Sequence, residues 1–165
     1  MNILALFVSF REKDSTFDRA TMDSYSSHKI LPELNLIVTN HQGKIKMTDL
    51  IRSTKLFMED DLYDAGMNVL IDFRDSVAIS YRMELLELID FVKKSVRLPH
   101  LVKICVFYSS PNQEFLLTVY KPMARLMNME VEKFKDLESG LDWLGFDGIQ
   151  KNTVNQALRA IKQTE

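Results

Sequence analysis

The sequence predicts a single α/β domain with a mixed, mostly parallel sheet of about five strands that begins with an antiparallel hairpin. Right-handed crossovers are predicted to cover this sheet with about four to five helices. Three observations predict this fold class. The chain has 165 residues, the usual size of one domain. Short apolar runs alternate with longer segments of helical periodicity, and two extended runs lie next to each other near the start.

Composition excludes several classes of protein and partner. Hydrophobic residues make up 46% of the chain, with only five Gly and four Pro, which excludes collagen-like and wholly disordered chains. A formal net charge of −2 does not favour binding to nucleic acid or to anionic membranes. No apolar run approaches the roughly 20 residues of a membrane-spanning helix. No G-x-G-x-x-G or Walker A pattern occurs, so no cofactor is predicted.

The first 27 residues are predicted to be an extension at the periphery of the fold. The apolar run 3–8 has no basic residue before it and no small-residue cleavage pattern after it, so secretion is not predicted and the expected compartment is the cytoplasm. A polar, Ser-rich stretch follows. Residues 28–165 are predicted to form the domain. Because Met22 opens a chain with every later element, we hypothesise that residues 1–21 are an appendage or an upstream translation artefact.

Turn and cap signals place the elements of the first half. The short extended runs 29–34 and 36–41 predict two antiparallel strands, with a turn at Gln42-Gly43. Thr48 is predicted to cap a helix. The continuous apolar run 67–73 is typical of a strand that is buried on both faces.

The second half carries stronger signals. Ser80 is predicted to cap an amphipathic helix, and a buried strand over 101–108 follows it. Ser110, Pro111 and Gln113 then form the pattern of a capping box with proline at the first helical position.

The chain is predicted to end in one strand and two helices. Alternation over 130–134 predicts a short edge strand. Asp136 is predicted to cap a helix over 137–144 that Gly145 stops, and apolar spacing predicts a last helix over 152–163.

Four segments carry a resemblance to a known family. They are Gln42-Gly-Lys-Ile45, Thr48-Asp-Leu50, Gly66-Met-Asn-Val-Leu-Ile-Asp-Phe-Arg-Asp75 and Val131-Glu-Lys-Phe-Lys-Asp-Leu-Glu-Ser-Gly-Leu-Asp-Trp-Leu144. In this order the chain, from about residue 28 to 146, resembles STAS/SpoIIAA-like domains, the fold of anti-sigma-factor antagonists. It looks most similar to an uncharacterised bacterial branch of STAS/SEC14 type. The resemblance implies a mostly parallel sheet with β-α units wound in a right-handed superhelix.

The resemblance also implies a phosphorylatable serine where the central strand meets the second helix. The antagonists have an Asp-Ser-Ser/Thr-Gly segment there. This chain has Ser76 and Ser80 in the corresponding segment 72–80, without a glycine after either. Both serines are therefore candidate phosphorylation sites, and the alternative for Ser80 is an ordinary helix cap.

One edge of the predicted sheet is the candidate binding site. Ligands of mostly parallel sheets bind outside the carboxyl ends of the strands. The residues expected at this edge are Asp72, Arg74, Asp75, Ser76, Ser80, Tyr108, Ser109 and Ser110. In the alternative interpretation, Arg74 pairs with Asp72 or Asp75 and the serines only cap helices.

Metal and catalytic sites are not predicted. His28, His41 and His100 are far apart and are expected in or beside loops, and none has the spacing of a metal site. Cys105 is expected to be a small buried side chain. No constellation assigns a nucleophile or a base, so an enzyme ranks third among the functions.

Two functions remain. The first is a non-enzymatic regulatory module that binds a protein partner at the candidate edge. The second is a SEC14-like protein that binds a lipid or a small apolar ligand, as the resemblance and the nine methionines suggest. Flexible thioethers suit an adaptable apolar cavity, although they also fill ordinary cores. The methionines concerned are Met58, Met67, Met83, Met123, Met127 and Met129.

Overall fold

The structure, a computed structural model, describes residues 24–78 and 82–162. Five strands and five helices alternate through most of this part of the chain. In order, they are β1 (Ser24–Leu31), a short 3₁₀ helix (Pro32–Leu34), β2 (Leu36–Ile45), α1 (Met47–Met58), β3 (Asn68–Ala78), α2 (Arg82–Ser95), β4 (Val102–Phe107), α3 (Pro111–Arg125), β5 (Met129–Phe134), α4 (Leu137–Leu144) and α5 (Gly148–Lys162).

The strands form one mixed sheet in the order β1-β2-β3-β4-β5. β1 and β2 pair antiparallel, and every later pair is parallel. Successive crossovers place α1, α2 and α3 on one face, and α4 and α5 cover the other. The predicted fold class is confirmed. β1 begins at Ser24, inside the predicted extension, of which the structure describes only residues 24–27; the domain boundary itself stays a prediction.

Two predicted details of β2 and α1 are wrong. β2 does not end before Gln42-Gly43 but continues to Ile45, because its pairing with β3 resumes after a register shift in which β3 carries one extra residue between Asp72 and Asp75. Gly43 has a φ of 76°. Lys46, not Thr48, is the N-cap of α1. The Asp49 carboxylate accepts the Lys46 backbone N–H at 2.9 Å, so a residue without a capping hydroxyl can occupy this position.

β3 is longer than predicted and continues to Ala78. Beyond the bulge it still pairs with β2, as far as the Ile45↔Ala78 pair. Arg74, Asp75 and Ser76 are therefore strand residues, and not the loop residues that the sequence predicted. The register shift interrupts the alternation of faces here: Arg74 and Asp75 meet Asp72 and Lys162 on the α5 side, and Ser76 lines a cavity on the other side.

The caps predicted for α3 and α4 are confirmed, and the predicted cap Ser80 of α2 lies outside the described residues. Ser110 accepts the backbone N–H of Gln113, whose side chain accepts the Ser110 N–H in return. Asp136 caps α4, and Gly145 ends it with a φ of 87°. The last helix begins four residues earlier than predicted.

The face covered by α4 and α5 is closely packed. Leu36, Val38, Leu70 and Phe107 are fully buried there. Gly140 lets α4 approach the sheet, because a Cβ at this position would lie 2.6 Å from the Phe107 ring. Cys105 belongs to this core, as predicted. Burial raises the pKa of its thiol to about 12.

Candidate apolar binding site

A cavity of about 180 Å³ lies between the sheet and the three helices α1, α2 and α3. Alternate residues of β2, β3, β4 and β5 form its floor, because successive side chains of a strand point to opposite faces. The floor includes Ile37, Val69, Ile71, Ile104 and Val131. The inward faces of the helices form the roof, which includes Leu50, Phe57, Leu88, Val92, Leu116 and Tyr120.

The central strand shows that this face is less completely filled than the other. On β3, Leu70 and Asp72 point to the α4–α5 face and have no exposed surface. The alternate residues Val69, Ile71 and Phe73 point into the cavity and are only half-buried, although helices cover them. Since close packing normally removes such space, the incomplete burial identifies a real gap between sheet and helices.

The cavity borders four strands of the sheet. Its floor runs from β2 to β5, which is three strand spacings or about 14 Å. For comparison, an apolar cavity of about 150 Å³ in another protein accommodates benzene. A volume of about 180 Å³ distributed over that width fits a slender molecule better than a bulky one.

Several of the methionines that were expected to line an apolar cavity border this space. Met58, Met67 and Met129 line the cavity, together with Met47, which the sequence argument did not single out. Met123 and Met127 pack instead between the helices. The side chain of Met83 lies outside the described residues.

His41 is the most polar ring in the cavity lining. It was expected in or beside a loop, as the last residue of the predicted strand 36–41, and it lies inside β2, which continues to Ile45. The alternation of Ile37, Thr39 and His41 was the sequence signal of a common face. The side chain is buried, its Nδ1 lies 2.8 Å from the Ser26 Oγ, and its ring stacks on Phe73 at 4.9 Å.

Burial fixes the protonation state of His41. It lowers the pKa of the imidazole from 6.5 to about 4, and the neighbouring Asp49 and Asp72 carboxylates offset only part of this effect. The ring is therefore neutral at pH 7.

The remaining polar groups of the lining are uncharged and mostly bonded to the protein. Thr39 Oγ1 donates to the Leu70 carbonyl at 3.4 Å, and Thr54 Oγ1 donates to the Leu50 carbonyl at 2.8 Å. The Tyr120 hydroxyl lies 3.8 Å from a methionine sulfur, and burial raises its pKa to about 12.

The predicted edge site is a compact set of mutually bonded side chains. The buried Asp72 carboxylate accepts two hydrogen bonds from the Arg74 guanidinium, at 2.9 and 2.8 Å. Lys162 of α5 lies 3.1 Å from Asp72 and 2.5 Å from Asp75. Burial would raise the pKa of Asp72, but the hydrogen bonds from Arg74 and Lys162 hold it below its usual value. The alternative interpretation, in which Arg74 pairs with Asp72, is the one observed.

Gln113 explains how the edge is held together, and sequence reasoning identified it only as a helix cap. Its Nε2 donates to the carbonyls of Phe73 and Ser76, at 2.9 and 2.7 Å. Ser76 is buried, and its hydroxyl donates to the Phe73 carbonyl. Ser76 and Gln113 also line the cavity, so the predicted edge meets one end of it.

The other described residues of the predicted edge make contacts within the fold. The Ser109 hydroxyl donates to the Arg74 carbonyl at 2.9 Å, and Ser110 caps α3. Tyr108 is 7% exposed, and the ammonium groups of Lys133 and Lys135 lie 5.9 and 5.8 Å from its ring centre. Ser80 lies outside the described residues. Phosphorylation of Ser76 or Ser80 stays a prediction.

The structure shows no assembled metal centre in residues 24–78 and 82–162. His28 Nε2 faces Asp60 at 3.4 Å, and His100 Nε2 lies 3.1 Å from the Gly66 carbonyl oxygen. Within the same ranges, every helix is too short or too polar to cross a membrane.

No protein-family model matches the chain, and no curated protein matches it. Among solved structures, the chain is similar to an uncharacterized protein of the DUF3478 family with a SpoIIAA-like fold from Shewanella loihica PV-4. The two have a TM-score of 0.48 and 17% sequence identity, and the match covers 73% of this chain and 93% of that chain. That SpoIIAA-like fold is the fold that the sequence resemblance implied for this chain.

Proposed function

We propose that this chain binds a small apolar molecule in the cavity between the sheet and α1–α3. The observation that supports it is the half-buried state of Val69, Ile71 and Phe73 on the central strand of the sheet. An apolar ligand in contact with these side chains would remove their remaining surface from water and supply the dispersion contacts that a gap lacks.

The contrast between the two faces argues against loose packing of the whole domain. On the α4–α5 face, helix and sheet are so close that Gly140 has no room for a methyl group. The space is therefore confined to one face, as in a protein whose ligand site is formed before the ligand arrives.

The shape of the cavity selects among ligands. A space of about 180 Å³ whose lining extends over four strands suits one unbranched hydrocarbon chain or a small flat ring. It is too small for a phospholipid with two full acyl chains, so the proposal favours the small apolar ligand over a membrane lipid.

Binding of a protein partner at the edge stays a prediction, as does the absence of nucleic-acid binding. The edge side chains Asp72, Arg74 and Lys162 bond to one another, which gives a partner little unsatisfied polarity to recognise. A binding site inside the fold has the more specific structural support.

A fluorescence titration with the uncharged probe N-phenylnaphthylamine tests the proposal. Full-length protein is expected to enhance the probe's emission saturably, and Ile71→Phe, which fills the floor of the cavity, should weaken binding at least about tenfold. Val77→Phe is the matched control, because Val77 lies on the same strand but is 59% exposed. Circular dichroism verifies that both variants fold.

Native mass spectrometry of the purified protein checks for a ligand that is already bound. A proposal of cavity binding is wrong if no small molecule co-purifies and the probe does not bind. It is equally wrong if Ile71→Phe and Val77→Phe bind the probe as the unmodified protein does.

A further inference from the structure

The lining of the cavity carries no formal charge. Among the described residues that border it, none is Lys, Arg, Asp or Glu. The nearest acidic groups are satisfied elsewhere. Asp49 accepts the Lys46 backbone N–H and lies 3.6 Å from Arg52, and Asp72 is paired on the opposite face of the sheet.

Two buried neutral side chains of the lining, those of His41 and Ser53, remain able to recognise a polar atom of a ligand. His41 uses Nδ1 toward Ser26, and its Nε2 makes no hydrogen bond to a described residue. Ser53 is a second such group: its side chain is buried in α1, lines the same cavity, and makes no hydrogen bond to a described residue. A neutral imidazole and a hydroxyl form good hydrogen bonds with another hydroxyl or with a carbonyl.

We infer that the ligand is an uncharged amphiphile, a slender hydrocarbon whose polar group is a hydroxyl or a carbonyl that bonds to Ser53 or His41. The inference rests on the proposed function, and it narrows the ligand class. Fatty-acid anions, phosphate esters and ammonium compounds are disfavoured, because a charge buried without a partner is far more costly than a hydroxyl with one.

Displacement of N-phenylnaphthylamine by matched ligands tests this inference at pH 7. Octanol and octanoate have chains of the same length, and octanoate is ionised at this pH. We expect octanol to bind at least about tenfold more tightly than octanoate. Equal or tighter binding of octanoate would overturn the inference while leaving the cavity function intact. Failure of both ligands and of the probe would instead overturn the proposed function.

A Ser53→Ala variant tests the polar anchor separately. Loss of one hydrogen bond should weaken octanol about fivefold and leave octane, which has no polar group, unchanged. His41→Phe is the companion variant for the second anchor. If neither substitution changes the ratio of octanol to octane binding, the two groups do not recognise the ligand and the inference fails.

Discussion

Acid should destabilise this protein through His41 before its carboxylates protonate. The pKa of the buried imidazole is lowered to about 4, whereas an unfolded chain has the ordinary value of 6.5. As the pH falls below 6.5, the unfolded chain therefore binds a proton that the folded protein does not, and the free energy of unfolding decreases until the pH approaches 4. The whole shift corresponds to about 3 kcal/mol.

Most of this loss occurs in an accessible range. By pH 5 the single site lowers the free energy of unfolding by about 2 kcal/mol relative to pH 7. Asp72, whose pKa lies below its usual value, contributes in the same direction but only at more acidic pH, because its unfolded pKa is about 4. The two contributions can therefore be separated by pH.

Urea unfolding at constant ionic strength measures the effect. We compare the unmodified protein with His41→Phe, which keeps a ring of similar size against Phe73 but cannot bind a proton. Between pH 7 and pH 5, the unmodified protein should lose about 2 kcal/mol more than the variant. Equal pH slopes for the two proteins would refute the assignment of a neutral, buried His41.

Three further predictions test the α4–α5 face of the sheet and the edge site. Gly140→Ala should lower the free energy of unfolding in urea by about 1–3 kcal/mol, because the new methyl group would overlap the ring of Phe107. Gly148→Ala, whose methyl group would meet no atom within 4 Å, should leave it unchanged, and equal effects of the two would contradict the close approach of α4. Asp72→Asn should lower the free energy of unfolding by about 2–4 kcal/mol, because it removes a buried partner of two cations. The control Asp75→Asn, at an exposed position, should lower it by less than about 0.5 kcal/mol, and an unchanged stability of Asp72→Asn would contradict the pairing. Cys105, with a pKa raised to about 12, should react with a thiol reagent at pH 8 only after unfolding, and rapid labelling of folded protein would contradict its burial.

The sequence predicts those parts of the fold that local chemistry decides. Ser110 and Gln113 cap α3 as expected because a capping box is complete within four residues. The start of α1 was misplaced, since the Asp49 carboxylate satisfies the backbone at Lys46 and removes the need for a Ser or Thr cap.

The end of β3, in contrast, could not be predicted from local chemistry. Arg74–Ala78 has the polar composition of a loop, yet pairing with β2 keeps it extended. A long-range pairing partner overrides the local preference, and no local pattern reports it.

The methionines left an apolar cavity and a filled core as alternatives, and the position of the cavity could not be predicted because the same residues would describe a filled core. Val69 and Ile71 have the spacing of buried strand residues whether a helix touches them or stands away. The separation of a helix from a sheet depends on every side chain between them. His41 was within reach of prediction, because its alternation with Ile37 and Thr39 places it on their face. Its neutral state requires knowledge of its burial.

The two faces of the sheet differ in how much stability their packing provides. If it were fully enclosed, an apolar space of about 180 Å³ would lower stability by about 4 kcal/mol, so the cost of this partly open one is at most about that, against the 5–15 kcal/mol of a typical domain. The α4–α5 face avoids this loss with Gly140, where a small residue allows close contact. On the other face, α1 presents the short side chains Ser53 and Thr54 to the sheet, where a leucine would fill the space. A ligand that occupies the cavity would recover part of the lost stability, so binding and folding are expected to be thermodynamically coupled.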